Sequence, residues 1–153
     1  MAVPDKTIDP KILDCAKAEF LEKGYMNASL RQICANAGVT TGALYKRYSG
    51  KEALFNALVQ DVIDDIEKVI SDRHVDYSKE TLTDTQLYHM WTLTEGYLDW
   101  WYNFLLERKD AFTLLLKCSE GTQYQSFQHD LVERICEETY RCYTAAATRG
   151  LVR

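Results

Sequence analysis

A cluster of basic and aromatic residues marks the first third of this 153-residue sequence. No acidic residue occurs between Glu22 and Glu52, and the same stretch holds Lys23, Arg31, Lys46, Arg47 and Lys51. The first fifty residues carry seven Lys or Arg and five Asp or Glu, a net of +2, whereas residues 51–153 carry −7 within a total of −5. An acid-free basic segment in an acidic chain is the electrostatic footprint of a surface that meets a polyanion. Phenol, ammonium and guanidinium groups in the run Tyr45-Lys46-Arg47-Tyr48 are hydrogen-bond donors suited to phosphate oxygens and base edges. The chemistry offered is recognition.

Catalytic patterns are missing by comparison. The sequence has no nucleophile elbow, no phosphate-binding glycine loop and no H-E-x-x-H. The paired acids Asp64-Asp65 and Glu137-Glu138 are sequence neighbours and so diverge on a helix. These features argue against an enzyme. Cys15, Cys34, Cys118, Cys136 and Cys142 are odd in number and form no C-x-x-C pair, so they read as small buried apolar residues and not as a disulfide or zinc set. The three histidines are scattered. His89 and His129 could hydrogen-bond a ligand, but no metal site and no cofactor are expected.

The elements that must position the basic cluster are helices. Residues 1–7 read as a short arm. Asp9 and Pro10 open a first helix to about Lys23, with Ile12, Ala16 and Phe20 on one stripe and Gly24 as its terminator. Ser29 with Gln32 gives a capping-box start to a second helix that buries Leu30, Ile33, Cys34 and Ala37 and breaks at Gly38. Thr40 caps a short third helix, residues 41–48, whose one strong inward anchor is Leu44. A long fourth helix starts at Lys51, with Leu54, Phe55, Leu58, Val62, Ile66 and Val69 at helical spacing. A polar stretch at 72–84 reads as a loop. Helices follow over about 85–107, 110–119 and 123–147, the last with Phe127, Leu131, Ile135 and Tyr143 as apolar positions. No segment alternates as a strand does, so the fold class is all α. There is no run of about 18 apolar residues, so no membrane span is expected, and no signal-peptide pattern, so the expected location is the cytoplasm.

The segment SLRQICANAGVTTGALYKRYSGK, residues 29–51, is then a capped helix, a glycine turn and a short helix dedicated to displaying polar, aromatic and basic groups. A major groove admits such a helix. Together with ILDCAKAEFLEKGY, the AGV turn, the G-x-L-Y of the third helix and the following K-E-x-L, this stretch over about 8–58 resembles the DNA-binding domain of the TetR family of transcriptional regulators. Cys34 and Tyr48 depart slightly from the family's usual Ala and Phe and keep approximate size. The resemblance implies a helix-turn-helix domain at 1–50 and a helical ligand-binding and dimerisation domain at 51–153. It implies a third helix that reads an operator in double-stranded DNA. Tyr45 and Lys51 would contact phosphates, and Ser29 could do the same. Thr40, Thr41, Gly42, Ala43, Lys46 and Arg47 would lie nearest the DNA, with Gly42 and Ala43 permitting close approach. Each role has a plainer rival. Tyr45 and Tyr48 could be packing residues, Lys46 and Arg47 a solvated face, and Ser29 and Thr40 caps alone.

The second half is rich in aromatics. Tyr88, Trp91, Tyr97, Trp100, Trp101, Tyr102 and Phe104 fall on one predicted helix. Aromatic linings suit apolar or cationic organic ligands, but any single aromatic more often fills a core or an interface. Tyr88, Trp91, Trp100, Phe104, Cys118 and Phe127 are the candidates for a small-molecule pocket. The resemblance implies a homodimer, a repressor released by its ligand, and two further helices beyond this length, so the second domain reads as truncated at Arg153. A helical binding or interaction module that has lost DNA binding is the alternative, against which Tyr45, Lys46, Arg47 and Lys51 argue.

Overall fold

The computed structural model describes residues 8–72, 83–85, 87 and 95–152, and every regular element among them is helical. The helices are α1 (Ile8–Asn27), α2 (Leu30–Ala37), α3 (Thr41–Tyr45), α4 (Lys51–Asp72), α5 (Glu95–Glu107), α6 (Lys109–Lys117) and α7 (Phe127–Thr148). The chain divides into two compact units, Met1–Glu67 with Arg108–Phe127, and Lys68–Glu107 with Gln128–Arg153. The first unit therefore extends past the boundary at residue 50 and takes in α6 and the turn that follows it.

The first unit closes around α1. Ile12, Ala16 and Phe20 are fully buried, as their spacing predicts, and so are Leu54, Phe55 and Val59 of α4 and Leu114 of α6. Each large apolar side chain taken out of water contributes about 1.5–3 kcal/mol. Phe20 and Tyr25 meet Phe55 edge-on, at centroid distances of 5.3 and 5.5 Å, the geometry that brings a ring's positive edge to a negative face. Tyr124 stacks on the same Phe55, and its hydroxyl donates to Gln60 Oε1 at 3.3 Å. The Tyr25 N–H donates to the Cys118 carbonyl at 2.9 Å, Lys17 pairs with Asp110 at 3.4 Å, and Arg108 pairs with Asp65 at 2.8 Å. Gly121 has φ +81°, a left-handed conformation that strains any residue with a Cβ, and a Cβ there would also have to displace the exposed Met26 side chain.

Several boundaries differ from the sequence reading for local reasons. Helix α1 begins at Ile8, so Asp9 lies in its first turn and is not its cap. Gly24 does end the first run of α1, with φ 72° and ψ 165°, and a short further helical run follows it to Asn27. Helix α3 stops at Tyr45, because the N–H groups of both Arg47 and Tyr48 turn back to the Leu44 carbonyl at 2.9 Å. Helix α7 starts at Phe127 because Thr122 organises a turn ahead of it: its hydroxyl donates to the Ser119 carbonyl at 2.7 Å and accepts the Tyr124 N–H at 3.0 Å.

In the second unit Leu87, Cys142 and Ala146 form a small core with Ala145, Leu151 and Val152 partly covered against it. Arg149 pairs with Asp84 at 3.4 Å. On α5, Phe104 is buried, stacked on Trp100 at 5.2 Å and edge-on to Trp101 at 5.5 Å. Tyr102, Leu105, Leu106, Val132, Ile135 and Tyr140 are exposed. One expectation fails here: Cys136 is exposed, so the reading of all five cysteines as buried holds fully only for Cys34, Cys118 and Cys142, with Cys15 half-buried. The small core of this unit involves the end of α7 around Cys142 and Ala146, while Val132, Ile135, Cys136 and Tyr140 on the same helix are exposed. No helix among the described residues is long and apolar enough to cross a membrane.

Candidate nucleic-acid interface

Helix α2 is set at both ends. Ser29 caps it, its hydroxyl accepting the Gln32 N–H at 3.4 Å. The reciprocal half of the expected capping box does not form: the Gln32 side-chain amide donates to Asn36 Oδ1 at 2.9 Å instead. The Ser29 N–H is taken by Glu19 Oε1 of α1 at 3.0 Å, and the same oxygen accepts from Lys23 Nζ at 2.9 Å. Glu19 is only 3% exposed. Burial by itself would raise its pKa, but the Lys23 ammonium and the Ser29 N–H outweigh that and hold the carboxyl below its ordinary value. At the other end Gly38 takes the left-handed conformation, φ 68° and ψ 31°; its N–H bonds the Ala35 carbonyl at 3.3 Å, and the Val39 N–H bonds the Cys34 carbonyl at 3.0 Å.

This turn delivers α3. Thr40 caps it by accepting the Ala43 N–H at 3.1 Å, and Leu44 is fully buried. Thr41, Gly42 and Lys46 are exposed and Ala43 is half-buried. Tyr45 is 56% exposed, a large cost for an aromatic that packed against the chain would avoid. Gly42 has open space around it, since an added Cβ would meet only Thr40 Oγ1, at 4.0 Å. Nothing inside the chain demands glycine there. Exposed Thr40, Thr41, Gly42, Tyr45 and Lys46 thus occupy one short stretch of backbone whose inward side is held by Leu44, while Ser29 is exposed at the other end of α2.

Two basic residues behave differently from a free cationic face. Arg47 is half-buried and faces α1, with Nε 2.7 Å from Asp9 Oδ1 and Nη1 donating to the Ala43 carbonyl at 3.4 Å. Lys51 donates Nζ to the Met26 and Ala28 carbonyls at 3.1 and 3.2 Å and lies over the Tyr25 ring, 4.7 Å from its centroid. It ties down the carbonyls around the end of α1, and one of its three N–H donors is left beyond those two bonds. Tyr48 is half-buried, and burial with the nearby Asp9 carboxylate pushes its phenol pKa up, which favours its packing role. Sequence reasoning missed Glu19 and Asp9 as members of this site. The spacing of Glu19 and Lys23 signalled their pair, but the contacts of Glu19 with Ser29 and of Asp9 with Arg47 join different elements and leave no local trace.

The pocket candidates fall in both units. Trp100 and Phe104 stand in the second unit, while Cys118 and Phe127 belong to the first, with Cys118 buried and Phe127 half-buried. Tyr88, Trp91 and His89 lie outside the described residues. His129 is exposed, 4.0 Å from Glu133.

Comparison with known proteins bears on this geometry. A model of bacterial regulatory proteins of the tetR family matches residues 12–58. The HTH-type transcriptional regulator UidR of Escherichia coli K12 is 36% identical over 58 residues, 38% of this chain and 28% of UidR. The HTH-type transcriptional repressor DhaR of Mycobacterium sp. GP1 is 32% identical over 69 residues, 45% of this chain and 35% of DhaR. The chain thus matches about a third or less of the length of these curated relatives. The crystal structure of a TetR-like transcriptional regulator from Rhodococcus sp. RHA1 shares the fold at a TM-score of 0.57 and 19% identity, over 98% of this chain and 76% of that one.

Proposed function

We propose that the protein, whose residues 12–58 match the tetR family of bacterial regulatory proteins, is a sequence-specific DNA-binding transcriptional regulator that acts as a repressor. The observation that carries this is α3. One buried leucine anchors a five-residue helix whose Thr41, Gly42 and Tyr45, with the adjoining Lys46, are turned to solvent. So short a helix has no stability of its own, and its outward groups are donors for phosphates and base edges in a major groove. Tyr45, Lys46, Ser29, Thr40 and Thr41 make the contacts, and Gly42 and Ala43 let the backbone come close. Arg47 and Lys51 serve first to brace α3 and the end of α1, and Lys51 has one donor remaining for a phosphate.

The regulator works in the cytoplasm as a homodimer, so that two copies of α3 meet half-sites about 34–36 Å apart. A small organic molecule, held through aromatic side chains such as Trp100 and Phe104, releases it. Since the two ligands are coupled, DNA weakens the organic molecule's binding by the same factor. The test is fluorescence anisotropy with a labelled duplex from upstream of the protein's own gene, at low and moderate salt. Tight binding that weakens steeply with salt is expected, because phosphate contacts release counterions. A folded dimer that binds no duplex would leave the interaction-module reading in its place.

A further inference from the structure

We propose that Glu19 is a positioning residue of the DNA interface, holding the start of α2 in place from α1 so that Ser29 and α3 meet the duplex. The inference rests on the DNA-binding reading above and extends it to a residue of α1 that is 3% exposed and touches no DNA itself. A buried carboxylate is expensive unless its charge and lone pairs are used. Glu19 Oε1 uses them on two donors, Lys23 Nζ at 2.9 Å and the Ser29 N–H at 3.0 Å. The second donor is the informative one. In a self-contained capping box the third residue of the helix would take that N–H. Here Gln32 is present at that position and does not do so; its amide goes to Asn36 on the exposed side of α2. The N-terminus of α2 is therefore fixed by a different helix. Because Ser29 caps α2, and the Gly38 turn joins α2 to α3, the contact sets where the recognition surface begins relative to α1.

Three variants separate positioning from bulk structure. Glu19→Gln keeps an oxygen acceptor for the Ser29 N–H and loses the charge. Lys23→Met removes the ion pair and leaves the acceptor. Glu19→Leu removes the acceptor but fills the buried site with apolar volume, and the Lys23 ammonium it leaves is 39% exposed and can turn to water. Each is examined by circular dichroism melting, by hydrogen exchange of the Ser29 amide, and by affinity for a duplex that the wild-type protein selects from a random-sequence library. Glu19→Leu is expected to lose Ser29 protection and about tenfold or more in affinity, the effect of one lost buried hydrogen bond. Glu19→Gln and Lys23→Met should keep the protection and stay within about threefold of wild type. Wild-type affinity in folded Glu19→Leu would overturn the proposal. So would unchanged Ser29 exchange in that variant, or a tenfold loss in Lys23→Met, which stands even if Glu19→Leu does not fold. Failure of the wild type to select any duplex would overturn the DNA-binding reading and this inference together, and that control tells the two failures apart.

Discussion

The two units of this chain differ in how far they cover their described aromatic residues. In the first, Phe20, Tyr25, Phe55 and Tyr124 pack ring to ring, and Tyr45 is the conspicuous exposed aromatic on the candidate DNA surface. In the second, Phe104 is covered, while Tyr102 is 66% and Tyr140 70% exposed on α5 and α7. An exposed ring therefore carries information in the first unit because its neighbours are closed. In the second, several of the described rings are exposed, so exposure singles out none of them.

Disrupting the closed core gives the largest expected effect. Phe55→Ala removes the ring shared by Phe20, Tyr25 and Tyr124 and should cost about 3–5 kcal/mol in urea unfolding, whereas Tyr140→Ala on α7 should stay within about 0.5 kcal/mol. Equal costs would erase the contrast between the units. Next come the glycine turns. Gly38→Ala forces a side chain into the left-handed region and should cost about 1–2 kcal/mol by thermal melting, with a parallel loss of DNA affinity as α3 shifts. Gly42→Ala should part the two readouts. Its site is open and helical, so folding should be unchanged or better by up to about 1 kcal/mol, while DNA binding weakens because the backbone can no longer approach closely. If Gly42→Ala binds DNA as tightly as wild type, close approach at that position is not used.

The smallest effect is on acid stability. The Glu19 carboxyl is held below its ordinary value in the folded state. Its contribution is therefore complete above the unfolded value of roughly 4.3 and is lost as pH falls through the lower folded value. Wild type should exceed Glu19→Gln in urea midpoint near neutrality, and that difference should shrink toward acid pH. A constant gap would mean that the charge of Glu19 is not what stabilises the site.

Much of the first unit was legible because its signals are local. The stripe of Ile12, Ala16 and Phe20, the Ser29 and Thr40 caps, the Gly38 turn and the Leu44 anchor follow from spacing and residue type, and each is found as read. What escaped joins distant positions. The Glu19 bond to Ser29 spans ten residues, the Tyr25 bond to Cys118 links α1 to the turn after α6, and Arg47 turns to Asp9. Arg47 and Lys51 were legible as basic residues, but their commitments to Asp9 and to the Met26 and Ala28 carbonyls were not. On α7 helical spacing identified apolar positions correctly as types, yet Ile135 is half exposed.

The central claim is that the exposed side of α3 meets phosphates. Its most direct test is the salt dependence of duplex affinity for wild type and Lys46→Ala, with Tyr140→Ala as a control. Wild type should show a steep linear fall of log K with log salt; Lys46→Ala should flatten that slope by about one phosphate's worth, and Tyr140→Ala should leave it unchanged. A slope for Lys46→Ala equal to that of wild type would contradict the placement of this surface against DNA.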